Sequence, residues 1–335
     1  MELITATNSN FDKLRDELIE NSFASPNYCS QHMNYYKSVY GGTIIMDFSS
    51  IITDDTGYPL IGFLAYKFEI NNNLIINYFG QPGIFVWSEK IAVPSVNLSI
   101  KLLADALLKN GLLKEIKNTN FELNLSLNFN NTIAPFLLQI FLKESNSHTL
   151  NFEQVIDLSL DEQILINNFS KSAKSELKKS SKSTHETIFY NRFSDPVEIK
   201  KSVEKMRELH FASAGRVTRS EKSWQIQEQQ ISMGSILLVH GIYNSIITHS
   251  SFFLLSHAKA FYGVSANLIK DKNSTSHFFI IESLFYLKSI GIKKLYMGKQ
   301  FEHLNGSKDL KIDNIAMFKS FFGGTLIPTV TLIKS

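Results

Sequence analysis

Cysteine is almost absent: Cys29 is the single one in 335 residues, which excludes an intrachain disulfide and a thiolate metal cluster and fits a reducing compartment. Cys29 itself reads as a packed small residue rather than a nucleophile. No apolar run approaches the roughly 18 residues of a membrane span, and the opening MELITATNSNFDKLRDELIE carries acids where a signal peptide has its apolar core. Membrane insertion is therefore not expected. Peripheral contact is compatible, and the cytoplasm, including the inner face of the membrane, is the expected location. Charge of one sign is lacking too: 34 basic against 31 acidic residues leave +3, which disfavours a general RNA binder and makes any basic site local. Asp54-Asp55 has no further regularly spaced ligands and no His-x-x-x-His helix occurs, so no metal site is readable. Walker, dinucleotide and Gly-x-Ser-x-Gly fingerprints are missing as well, the last arguing against an α/β-hydrolase.

What is present is a folding composition, 44% hydrophobic and 12% aromatic, on a chain long enough for two cores. Periodicity and turn residues give helices over 8–21 and 30–40, then strands over 43–51, 59–70 and 74–79 with a turn at Asn71-Asn72-Asn73. A helix over 95–109, a strand over 121–127, a helix over 131–142 and a strand over 149–158 follow. There the chain begins again. Ser159-Leu160-Asp161-Glu162 has the form of a capping box, a basic helix covers 171–183 and a strand 186–193. Asp195-Pro196 opens a helix that runs to about Phe211, and another covers 221–233. From 235, as from 43 before it, the order is three strands, helix, strand, helix, strand.

These repeats give an α/β fold of two tandem domains, 1–158 and 159–335, each a mixed central sheet flanked by helices. The stretch 250–324 organises the second. Two hairpin-linked strands lead to a long helix over 276–290 with Gly291 as its stop, then a strand over 293–297 and a helix over 309–321. A mixed sheet opens where its pairing changes, and such an opening is a usual place for a ligand.

The second half, with KSAKSELKKSSKS, AFYGVSAN, GIKKLYMGK and MFKSFFGG, resembles the FemAB-type transferases, and FASPNYCSQHMNYYKSVYG followed by FGQPG is consistent with it. The most recognisable motif is Phe318-Lys319 ahead of Phe322-Gly323. The resemblance implies two GNAT-like domains and transfer of amino acids or other acyl groups to amines, often on cell-wall precursors. Two departures stand out. The Gly-rich pyrophosphate loop of acyl-CoA-binding GNAT proteins has no counterpart in 271–276, DKNSTS. The helical arm of some cell-wall members is also missing.

The resemblance places Lys319 near the acyl ester, where its ammonium would steady the oxyanion; the plainer alternative is a solvated helix lysine. Strict alternation would put Tyr262, Val264 and Ala266 on one sheet face and Gly263, Ser265 and Asn267 on the other. That makes Tyr262 and Ser265 candidates to shape the pocket, with Ser265 or Asn267 donating to a ligand, against a tyrosine simply packed on the sheet. His277, near the positive end of the long helix, is a candidate proton acceptor for the attacking amine, or a bland terminal histidine. Arg216 and Arg219, in the loop over 213–220, are candidates to clamp a carboxylate or diphosphate. The resemblance adds Lys37 as a substrate contact, and Phe318 belongs to its motif. Lys171, Lys174, Lys178 and Lys182 share one helix face, which could meet transfer-RNA phosphates, a nucleotide sugar or an anionic membrane, or be only a solvated face.

The sequence thus points to an acyl- or aminoacyltransferase acting on an amine of a cell-envelope saccharide or its nucleotide-linked precursor. The first domain would help bind the acceptor, and the catalytic cleft would lie in the second. No tightly bound cofactor is expected; the donor is either an acyl thioester such as acyl-CoA or an aminoacyl-tRNA. A peptidoglycan-bridge-type transferase that depends on aminoacyl-tRNA is one alternative. A non-catalytic glycan-binding protein on a degenerate transferase fold is the other.

Overall fold

The computed structural model describes residues 1–91, 93–126, 135–180, 185–268, 276–300 and 310–335. It divides into two units, Met1–Asn151 with Ile327–Ser335, and Phe152–Leu326. The boundary expected at 158/159 therefore falls at 151/152, within a strand, and the chain's last residues return to the first unit. A strand returning from the far end of the chain leaves no local mark in sequence, which is why composition could not place it.

In the first unit β1 (Glu2–Thr5), α1 (Phe11–Glu20) and α2 (Ser30–Tyr40) precede β2 (Thr43–Asp47), β3 (Ser50–Thr53), β4 (Pro59–Leu64), β5 (Tyr66–Ile70), β6 (Asn73–Asn77) and β7 (Gly83–Trp87). Then come α3 (Val93–Lys109), α4 (Leu112–Asn118), β8 (Asn120–Ser126), α5 (Pro135–Glu144) and β9 (Ser147–Asp157). The continuous strands expected over 43–51 and 59–70 are each broken, because β3 and β4 pair with each other while β2 and β5 form a separate ladder. Asn71 and Asn72 turn β5 into β6 at φ +50° and +64°, the two positive values that a tight hairpin needs. Phe63, Leu103, Ile116, Phe121 and Leu123 are among the buried side chains of this unit's core. Cys29 is buried and forms no disulfide.

The second unit continues with α6 (Glu162–Asn168), α7 (Lys171–Ser180), β10 (His185–Tyr190), α8 (Pro196–Ala214), α9 (Glu221–Ser232), β11 (Ile236–Tyr243), β12 (Ile246–Leu255), β13 (Lys259–Asn267), α10 (Ser276–Ser289), β14 (Lys294–Gln300) and α11 (Leu310–Ser320). β15 (Thr325–Lys334) follows, and its part from Thr329 to Lys334, which belongs to the first unit, pairs there with β8. Asp195 caps α8, accepting from Val197 N and Glu198 N, and Gly291 follows α10 at φ +90°, both as the sequence led us to expect. The capping box at 159–162 does not form. Asp161 caps α6 by accepting from Gln163 N at 2.8 Å, and the Ser159 hydroxyl turns back to Asp157.

Within this unit the sheet runs β9, β14, β13, β12, β11, β10, with every pair antiparallel except β13 with β14. Helix α10 is apolar almost all round, SHFFIIESLFYLKS, and buries Phe279, Ile280, Ile281, Leu284 and Leu287 against one face of the sheet with Val239, Phe253, Tyr262 and Leu295. Helix α8 packs on β12 and β13, and its Ser202 carbonyl accepts from His240 Nε2 at 3.2 Å. Because His240 follows Val239 in β11, α8 lies on the face opposite α10.

Candidate functional site

The expected opening lies between β13 and β14. Their parallel ladder holds only Lys259 to Phe261 against Lys294 to Tyr296. Past it, β13 stays with β12 as far as Asn267 and β14 stays with β9 as far as Gln300. Each strand bulges near the parting. The two steps from Ser251 to Phe253 are matched by three from Ser265 to Tyr262 on β13. The two steps from Tyr296 to Gly298 are matched by one from Val155 to Gln154 on β9. A bulge bends and twists its strand, so the two edges diverge and leave a gap inside the sheet.

Lys319 reaches this gap from α11. Its Nζ donates to the Lys299 carbonyl at 3.3 Å and lies 3.3 Å from where a Cβ on Gly298 would be. Gly298 has φ +81°, a conformation that glycine holds without strain, and its bare Cα gives the ammonium its place. The Phe261 ring lies on the same spot, 3.5 Å from that Cβ position. Burial lowers the Lys319 ammonium to about 8, against an opposing pull from Glu153. Burial likewise raises the Glu153 carboxyl to about 7, although Lys299, Lys319 and Lys259 all favour its charge. Lys259 is buried with its Nζ 5.7 Å from the Tyr296 ring centre.

The end of α11 that carries Lys319 is fixed by Gln154. The buried Gln154 Nε2 donates to the Lys319 carbonyl at 2.9 Å and to the Gly323 carbonyl, while its Oε1 accepts from Gln300 Nε2. Gln154→Leu takes the amide from the Gly323 carbonyl and the Gln300 side chain, while the Lys319 carbonyl keeps Phe322 N at 3.2 Å. It should lower unfolding stability by about 1–3 kcal/mol, measured by urea titration, and reduce kcat more than it raises KM. Unchanged stability would show that water replaces the amide.

The bulge in β13 corrects the facing expected from alternation. The extra residue between Tyr262 and Ser265 brings Ser265 and Asn267 onto the Tyr262 face. Tyr262 is buried beside Phe253, and burial raises its phenol to about 12 while a Ser265 hydrogen bond opposes the shift. Asn267 is engaged by His249, whose Nδ1 donates to Oδ1 at 2.6 Å.

His277 is oriented by a carboxylate. Its Nδ1 lies 2.7 Å from Glu176 Oε2, a carboxylate brought by α7, and its ring centre lies 4.9 Å from Phe318 and 4.8 Å from Phe321. Its Nε2 is buried with no hydrogen-bond partner among the described residues. The ring ties α7 to α10. Phe318 spends its own ring on His277 and Phe322.

Arg216 and Arg219 line a cavity of about 440 Å³ at the C-terminal part of α8, with Arg207, His210, Thr218 and Trp224. Burial lowers the Arg219 guanidinium to about 10. Lys37 is exposed on α2, in the first unit. On α7, Lys171 and Lys178 are exposed and Lys174 donates to the Asn167 carbonyl at 2.9 Å. Lys182 and residues 271–275 lie outside the described residues. No described helix is long and apolar enough to cross a membrane. Among the described residues, no group of three or more His, Cys, Asp and Glu could hold a metal ion.

Glu153, Gln154, Lys299 and Gln300 escaped the sequence reading. The only signal was a Glu-Gln pair between the apolar residues of FEQVI, a polar interruption that a buried strand tolerates only with partners.

No family model matches the chain, and no curated protein matches it in sequence. Solved structures do resemble it. FemX is similar over 100% of this chain and 98% of its own, at 10% identity and a TM-score of 0.69. A conserved protein of unknown function from Bacteroides thetaiotaomicron is similar over 100% of both chains, at 10% identity and a TM-score of 0.59. At such identities the likeness is one of fold, and the fold is the one FemX has.

Proposed function

We propose, from the FemAB-like tandem GNAT fold and the site within its second unit, that the protein is a GNAT-type transferase. It moves an acyl or aminoacyl group onto an amine of an anionic cell-envelope saccharide or its nucleotide-linked precursor. The observation that carries this reading is the Lys319 ammonium held over the gap between β13 and β14. Aminolysis of a thioester or ester passes through a tetrahedral oxyanion, and a partly desolvated cation fixed in advance stabilises that charge without reorganising. Arg216 and Arg219 support the anionic acceptor, since paired guanidinium groups at a cavity match carboxylate or diphosphate oxygens. Tyr262 and Ser265, brought to one face by the bulge, shape the β13 side of the site.

The donor is an acyl thioester or an aminoacyl-tRNA. The exposed Lys171 and Lys178 favour the second as a surface for RNA phosphates. The test incubates the full chain with acyl thioesters and charged transfer RNAs, each with amino-sugar nucleotides, and reads the acceptor's mass. A mass-shifted acceptor is expected. A transfer-RNA donor would make the rate fall steeply with salt, and a thioester donor would not. A folded protein that binds a saccharide and transfers nothing would overturn the reading in favour of a binding protein.

A further inference from the structure

We propose that Glu153 is the catalytic base that takes the proton of the acceptor amine, working from β9 beside the diverging end of β14, where Lys319 reaches the gap. The inference rests on the transferase reading and names a carboxylate that is coupled electrostatically to Lys319 itself.

Three observations carry it. First, Glu153 stands directly opposite Lys299 at the diverging end of β14, next to the bulge and not in the ladder's regular part. Second, its carboxylate makes no hydrogen bond or ion pair within 4.0 Å among the described residues, although Lys299, Lys319 and Lys259 reach it electrostatically from β14, α11 and β13. A carboxylate kept only for stability would close onto one of those ammonium groups, because an uncompensated, partly buried charge is costly. Glu153 also remains partly accessible, so a substrate nitrogen can reach it. Third, Gln154 and Glu153 point to opposite faces of β9, so the carboxylate stands apart from the amide network that holds the Lys319 carbonyl.

The step balances as follows. The acceptor R–NH₃⁺ gives a proton to the Glu153 carboxylate, and the freed nitrogen pair attacks the donor carbonyl carbon. A C–N bond forms, and the carbonyl pair moves to an oxyanion beside the Lys319 ammonium. Collapse breaks the C–S bond of a thioester or the C–O bond of an aminoacyl ester. The leaving group takes the second nitrogen proton, and Glu153 returns its own to solvent.

Because the carboxyl titrates at about 7 and the ammonium at about 8, the competent pair, Glu153 ionised and Lys319 protonated, spans a narrow range. The wild-type kcat profile should be bell-shaped around it. Glu153→Gln should lower kcat about 10²-fold or more with KM held within about twofold, and abolish the acidic limb. It should also move the alkaline limb to lower pH, because Lys319 loses the negative charge that raises its proton affinity. Glu153→Asp should keep an acidic limb at reduced kcat, and the melting temperatures of both variants show whether they fold. An active wild type whose Glu153→Gln variant keeps full kcat and the acidic limb overturns this inference and leaves the transferase reading standing. A wild type that transfers nothing overturns both.

Discussion

Replacing Lys319 with alanine should cost about 10²–10³ in kcat, the loss usual when one preorganised oxyanion donor is removed, and should not unfold the protein. The two halves of that expectation have one cause. Burial that lowers the ammonium to about 8 is an electrostatic cost carried by the folded state, so deleting the charge relieves the fold while depriving the reaction. The structural bonds at this end of α11 are made by the Lys319 backbone carbonyl with Gln154, and the alanine variant keeps them. Single-turnover transfer and a urea midpoint on the same preparation decide the matter. Activity that survives would make Lys319 a bystander; activity lost together with the fold would make it structural. Lys319→Arg should rescue poorly, because the larger head would have to fit where Nζ already lies 3.3 Å from the Cβ position of Gly298.

The second large effect concerns acid. His240 and His249 sit on β11 and β12, 1% and 0% exposed, and burial lowers each from 6.5 to about 4. Their neutral forms are fully used. The Ser202 carbonyl and the Ser250 hydroxyl hold the two nitrogens of His240, and Asn267 and Ser251 hold those of His249. The folded value lies below the unfolded one, so the folded state resists a proton that the unfolded state accepts. Stability is complete above about pH 6.5 and falls as the pH drops toward 4, by about 3 kcal/mol per histidine. Glu153 works with the opposite sign. Its folded value near 7 lies above the ordinary 4.5, so stability is lost as the pH rises from about 4.5 to 7 and regained on acidification. The histidine contribution is therefore best read as a difference. Between pH 6.5 and 4 the wild type should lose about 3 kcal/mol relative to His249→Gln in urea unfolding. Parallel curves for the two proteins would show that His249 takes up its proton without opening the fold.

Much of the architecture could be read locally. The Asp195 cap, the Asn71-Asn72 turn and Gly291 after α10 each act on backbone groups within a few residues, so sequence neighbours decide them. The same holds for the apolar periodicity of α8 and for the Phe318-Lys319 motif. The capping box failed for a related reason: Asp161 and Ser159 competed for the same helix start, and the carboxylate won it while the hydroxyl found Asp157.

The sequence by itself determined the kinds of element, much of their order and the two-unit plan, because those depend on periodicity and capping. Only the tertiary structure decided which groups meet. Gln154 and Lys319 are 165 residues apart, and Glu176 and His277 are 101 apart, so no spacing rule could pair them. Strand facing escaped for a different reason. One inserted residue in β13 moves Ser265 and Asn267 to the Tyr262 face, and a bulge is fixed by the register of neighbouring strands rather than by the strand that contains it.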